Sequence, residues 1–169
     1  MAKTARGMLC GARRYVNQGS RMTADDDKTV DEIKIRELMD EWVKALRVRD
    51  VDAIVSSQAP DVVSFDVVNP LQYIGSEATR KRTEEWLVSF EGPVGLETRD
   101  LSVTVGDDVA FAHSLNRVSG SLVDGHAVDM WLRSTVCYRK IDGKWMVTHQ
   151  HSSVPFDGES GKASLDLKP

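Results

Sequence analysis

The chain has 169 residues, 41% of them apolar and 28% charged, with a net charge of −4. This is the composition of one ordinary globular domain with a tail. It lacks the basic footprint of a nucleic-acid or membrane-surface binder, and no apolar run reaches membrane-spanning length.

The leader carries Lys3, Arg6, Arg13, Arg14 and Arg21 and no acidic residue before Met22. With no apolar h-region it is not a secretory signal. Residues 1–28 are expected to be a disordered basic tail, with Met22 as an alternative start. Cys10 and Cys137 are too far apart in sequence to suggest a disulfide framework or a zinc pattern, so a reducing, cytoplasmic setting is the expectation. Asp25 to Asp31 is acidic, which suits the positive end of a helix dipole. Ile35, Leu38, Met39, Trp42, Val43 and Leu46 follow at helical spacing, predicting a helix over 30–48.

Asp50 or Asp52 caps a short second helix through Ile54 and Val55, which Pro60 closes. Val62 to Val68 reads as a strand containing Asp66, broken by Asn69-Pro70. A third helix opens at Gly75-Ser76 and ends at Gly92-Pro93. Four long strands are predicted after it, over 96–105, 109–119, 128–139 and 144–154. Helices followed by a run of antiparallel strands mean α+β. Three helices on a strongly curved, mostly antiparallel sheet would enclose a cone-shaped cavity. The domain is set at residues 29–156, with 157–169 as a C-terminal tail.

The last two strands meet at Asp142-Gly143, the strongest short-range hairpin signal in the chain. A two-residue loop pairs Ile141 with Lys144. Unbroken alternation from there sets Thr135 opposite Gln150, Arg133 opposite Ser152 and Val136 opposite His149. One face then carries Trp131, Arg133, Thr135, Gln150 and Ser152, the mixture expected of a ligand-facing wall. The other carries Leu132, Val136, Val147, His149 and His151. With His113, Leu115 and Arg117 these form an apolar outer patch, and a second copy of the chain is the expected cover, giving a homodimer. His113, His149 and His151 do not converge in this register, so no metal site is expected. No phosphate loop or nucleophile motif is present, and no cofactor is expected.

Three stretches carry a family resemblance: Asp50–Val55, the Phe65-Asp66…Pro70…Gly75 crossover, and Asp142–Ser153 with its D-G-K-W-x3-H-x-H-x-S pattern. The chain resembles the nuclear transport factor 2-like superfamily, which includes the ketosteroid isomerase-like and SnoaL-like proteins. Its last hairpin is similar to the association domain of calcium/calmodulin-dependent kinase II. The resemblance covers about residues 30–155 and implies a cone-shaped barrel with a small-molecule pocket. Ketosteroid isomerases use an aspartate base with an oxyanion hole of a Tyr and a protonated Asp. Asp66, nine residues before Gly75, matches the base. Trp42 and Thr135 stand where the Tyr and the second Asp would fall, so the steroid oxyanion hole is not reproduced. The pocket arginines of the association domains fall on Asn116, Thr135 and Ser152, none of them basic. Arg133 is the cation nearest to those positions.

The expected catalytic residues are therefore Asp66 as general base and Arg133 as oxygen-polarising or pairing cation. Trp42, Tyr73, Trp86, Asn116, Trp131, Thr135, Gln150 and Ser152 are the expected ligand-binding residues. The expected function is a small-molecule-binding protein whose chemistry is general acid–base, of isomerase, cyclase or dehydratase type, on a carbonyl-containing or polycyclic metabolite. The alternative is a non-catalytic ligand-binding or oligomerisation module.

Overall fold

The computed structural model describes residues 24–169. The basic leader before Ala24 lies outside the described residues. Helix α1 spans Ala24–Val48 and so starts earlier than its apolar periodicity, inside the predicted tail. Asp25, Asp26 and Asp27 occupy its first turn, where exposed N–H groups favour negative charge. It ends at Arg49, which takes a left-handed φ of 60°. The Arg49 guanidinium then donates to the carbonyls of Leu87 (2.5 Å), Phe90 (3.2 Å) and Gly92 (3.1 Å). One side chain thus ties the α1–α2 turn to the end of the third helix, adding donors to carbonyls at and beyond its C-terminus.

Helix α2 is Val51–Val55, capped by Asp50, whose carboxylate accepts from the Ala53 N–H at 3.0 Å. Strand β1 spans Gln58–Phe65, four residues earlier than the predicted start. Pro60 therefore lies inside the strand instead of closing the helix. It falls where the pairing register is interrupted between Gln58 and Val63, so its missing N–H disturbs no regular ladder. Asp66 consequently sits just past the strand end, where the chain turns through a cis Asn69-Pro70 bond into β2 (Tyr73–Ile74). Helix α3 is Ser76–Val88, and Gly75, at φ 88°, occupies the N-cap position expected of Ser76.

Strands β3 (Gly95–Val105), β4 (Val109–Ser121), β5 (Ala127–Ile141) and β6 (Lys144–Ser153) follow. The sheet order is β2-β1-β6-β5-β4-β3. Every pairing is antiparallel except β1 with β6. The architecture is the expected α+β cone, an open curved sheet covered by helices. The hairpin turn is also as expected: Ile141 pairs with Lys144, and Asp142 and Gly143 both take positive φ, at 49° and 78°. No described helix is long and apolar enough to cross a membrane.

The register fails to continue as predicted. Tyr138 pairs with Val147, but Cys137 pairs with His149, leaving Thr148 as an extra residue in β6. A bulge of this kind shifts every later side chain to the opposite face. Arg133 now faces Ser153, Thr135 faces His151, and Val136 faces Gln150.

Two apolar clusters hold the layers together. One joins α1, α2 and α3 to the far end of the sheet through Leu46, Ile54, Leu87, Phe90, Val94 and Val118. The other joins the start of α1 to the hairpin through Ile35, Val62, Ala112, Tyr138, Trp145 and Val147. Ile35, Leu46, Val62 and Val94 are the largest fully buried side chains, each contributing roughly 1.5–3 kcal/mol by leaving water. Members of both clusters line the space left between them.

Candidate functional site

That space is a cavity of about 280 Å³ between α1, α3 and the concave face of the sheet. Its helical wall is mostly apolar, from Leu38, Met39, Trp42 and Leu46 of α1 and Trp86 of α3. Its sheet wall carries Leu96, Leu132, Val136 and Val147, interrupted by Asn116, Ser134, Gln150 and Ser152. Tyr138 also lines it; burial pushes its phenol well above the usual range, so it remains protonated.

Asp66, Trp42, Tyr73, Trp86, Asn116, Gln150 and Ser152 all line the cavity, where the sequence places them. Trp131, Arg133 and Thr135 do not. The Thr148 bulge separates them from Gln150 and Ser152, and odd-numbered positions of β5 face outward. There Trp131 lies opposite Arg117, Arg133 opposite Leu115 and Thr135 opposite His113. Arg99 stacks over the Trp131 ring at 5.0 Å, and Arg133 is exposed. The polarising role expected of Arg133 therefore has no geometric basis. The same bulge corrects the outer patch. Leu132, Val136 and Val147 face the cavity, whereas His113, Leu115, Arg117, His149 and His151 remain on the convex side with Phe65 and Phe111. Phe65 packs edge-on to His149 at 4.8 Å and to His151 at 5.7 Å, and the His149 Nδ1 lies 2.9 Å from the Val63 carbonyl oxygen.

The cation that Asp66 meets is Arg82. Its Nε donates to Asp66 Oδ2 at 2.7 Å, and the two side chains are only 20% and 22% exposed. Asp66 Oδ1 also accepts from the Val67 N–H at 2.6 Å. Both terminal nitrogens of Arg82 remain without a partner among the described residues, so the guanidinium retains donors for a bound oxygen. Sequence reasoning passed over Arg82, yet a signal was present. Thr79, Arg82, Thr83 and Trp86 recur at i, i+3, i+4 and i+7, so α3 turns a mixed polar and aromatic stripe inward.

Buried Thr79 donates to Gln58 Oε1 at 2.5 Å beneath this stripe, fixing α3 on β1. Gln150 Nε2 donates to Ser64 Oγ at 3.0 Å, and Ser114 Oγ donates to Asn116 Oδ1 at 3.2 Å. Among the described residues no group of three or more His, Cys, Asp or Glu side chains is arranged to hold a metal ion.

An open curved sheet under three helices, enclosing a largely apolar cavity with the Asp66–Arg82 pair in its wall, defines a cone-shaped α+β fold. A SnoaL-like domain model matches residues 35–157, and the chain belongs to that family within the nuclear transport factor 2-like superfamily. A nuclear transport factor 2-like protein of unknown function from Pseudomonas putida KT2440 is 39% identical. That match covers 83% of this chain and 98% of the other, with a TM-score of 0.77. A protein provisionally assigned as a scytalone dehydratase, from Novosphingobium aromaticivorans DSM 12444, is 13% identical over 86% of this chain and 99% of its own, with a TM-score of 0.71. One provisionally assigned as a calcium/calmodulin-dependent protein kinase II association domain, from Xanthomonas campestris, is 23% identical over 79% and 87%, with a TM-score of 0.63. At such identities the last two share the fold alone. No functionally curated protein matches the sequence.

Proposed function

We propose that the cavity binds a small, largely apolar carbonyl compound and that Asp66 acts on it as a general base. The observation that carries this reading is the Asp66–Arg82 pair, mostly shielded from water, at the edge of a largely apolar cavity. Asp66 Oδ2 would take a proton from the carbon next to the carbonyl. The unused N–H groups of Arg82 would stabilise the charge that develops on the oxygen. Trp42 and Trp86 would hold the apolar body of the ligand against the helical wall.

A second reading, binding without turnover, is favoured by one feature of the same pair. Asp66 already accepts from both Arg82 and the Val67 N–H, so both of its oxygens are engaged before any ligand arrives. Deuterium exchange at the α-carbon of 2-tetralone, followed by NMR in D2O, separates the two readings. A base predicts accelerated exchange that falls by about 10²–10⁴ in Asp66→Asn. Binding of 2-tetralone without exchange supports the module. Binding that persists in the cavity-filling variant Leu132→Trp overturns the pocket reading altogether.

The convex face, with Leu115, Phe111 and Phe65 among His113, Arg117, His149 and His151, supports a homodimer through the outer sheet. An apolar patch of this kind is commonly covered by a two-fold copy of itself.

A further inference from the structure

The sheet wall of the cavity contains polar groups that the Asp66–Arg82 pair does not use. Ser134 and Ser152 both line the cavity, and neither hydroxyl has a partner among the described residues. Asn116 is constrained instead. Ser114, 7% exposed, donates its hydroxyl to Asn116 Oδ1 at 3.2 Å. That bond occupies the acceptor end of the amide and leaves the Nδ2 hydrogens as donors at the cavity wall.

The ladder shows where these groups lie relative to Asp66. Ser114 is directly opposite Ser134, and Ser134 is directly opposite Ser152. Ser64 is opposite Gln150 and Phe65, the last residue of β1, is opposite His151, so Asp66 follows at the Ser152 end of β6. Neighbouring strands are about 4.8 Å apart, so two spacings, roughly 10 Å, separate Ser134 on β5 from the end of β1 where Asp66 follows, and three spacings, roughly 14 Å, separate Asn116 on β4 from it. Leu132 and Val136 on the sheet and Trp42 and Trp86 on the helices give this interval apolar flanks, with Ser152 of β6 between its ends. A free hydroxyl and a fixed amide donor in a largely apolar wall are available to a ligand oxygen.

We infer that Asn116 and Ser134 form a second anchor, which reads an oxygen at the end of the ligand remote from Asp66, with Ser114 as the positioning residue that aims the Asn116 amide. The ligand class is then a flat apolar molecule with an oxygen function at each end. The inference rests on the cavity being a ligand site, as proposed above, and adds the requirement for a second oxygen.

Two probes isolate that requirement. 2-Naphthol carries one hydroxyl, and 2,6-dihydroxynaphthalene carries a second at the opposite end of the same ring system. Titration calorimetry on the purified full chain should show the second compound binding more tightly by roughly three- to tenfold, the range of one net hydrogen bond. The double variant Asn116→Ala/Ser134→Ala should bring the two affinities within about twofold of each other. Ser114→Ala, which touches no ligand, should narrow the same ratio by freeing the Asn116 amide to turn, and Ser114→Thr should restore it. Thermal melting of each variant confirms that it is folded, and because the readout is a ratio of affinities, general loosening of the sheet does not imitate it. Equal affinity of the two probes for the unmodified protein, or a preference that survives in the double variant, overturns the second anchor while leaving the cavity reading intact. Binding of neither probe overturns both.

Discussion

The ion pair between α1 and β5 allows a stability prediction with its sign and size worked out. Asp31 is 6% exposed and its carboxylate meets Lys140 of β5 and, at 3.1 Å, Lys34 of its own helix. The Lys140 ammonium also lies over the Trp145 ring, 4.9 Å from its centre. Burial alone would raise the Asp31 carboxyl. Hydrogen bonds from Lys140 and Lys34 outweigh it, aided by the dipole of the buried Trp145 N–H, which completes no full hydrogen bond of its own. The group lies at about 2 against an ordinary 3.8. That difference corresponds to roughly 2.4 kcal/mol. The Lys140 side chain is 28% exposed and Lys34 53% exposed, so solvent screening brings the expected contribution to about 1–2 kcal/mol.

Because the folded-state value is depressed, this stability is fully present above 3.8 and is lost as pH falls towards 2. Asp31→Asn should therefore lower Tm by about 2–8 °C at pH 7, from the usual shift of roughly 2–4 °C per kcal/mol for a domain of this size. Melts of both proteins from pH 7 to pH 2.5 test the argument. The gap between them should be constant down to pH 4.5 and should narrow below it. An equal gap at pH 7 and pH 2.5, or no gap at pH 7, would refute the reasoning.

Arg82→Ala leaves the Asp66 carboxylate unpaired in a wall only a fifth exposed, and should cost about 1–2 kcal/mol in a denaturant titration and weaken 2-tetralone binding. Arg133→Ala, on the convex face, should leave 2-tetralone affinity within twofold of the parent, measured by calorimetry; a tenfold loss would return Arg133 to the site. Gly120→Ala should destabilise by about 1–3 kcal/mol in thermal melts, because an added Cβ would lie 2.8 Å from the Phe90 ring, a rigid member of the core that cannot yield cheaply. Phe111→Asp combined with Leu115→Asp should leave a monomer in sedimentation at micromolar concentration where the parent is a dimer; a monomeric parent sinks the interface.

Sequence alone determined what depends on local chemistry. Asp142-Gly143 defined the hairpin turn because both positions accept positive φ, and Asp50 marked the second helix because its carboxylate reaches a backbone N–H three residues on. The order of helices and strands, and with it the cone, followed from apolar periodicity. The family resemblance of the Phe65–Gly75 crossover likewise pointed Asp66 to the cavity that it lines. What the sequence did not contain was the phase of the sheet beyond the turn. Side chains alternate with a period of two, so the one extra residue at Thr148 exchanged Arg133 for Ser134 as the neighbour of Ser152. No residue type near Thr148 announces that bulge. Tertiary structure also decided which cation Asp66 would meet. Arg82 and Arg133 are both plausible partners by residue type. Only the docking of α3 against β1, fixed in part by Thr79 on Gln58, brings one of them to 2.7 Å, while the pleat of β5 turns the other to the opposite side of the sheet.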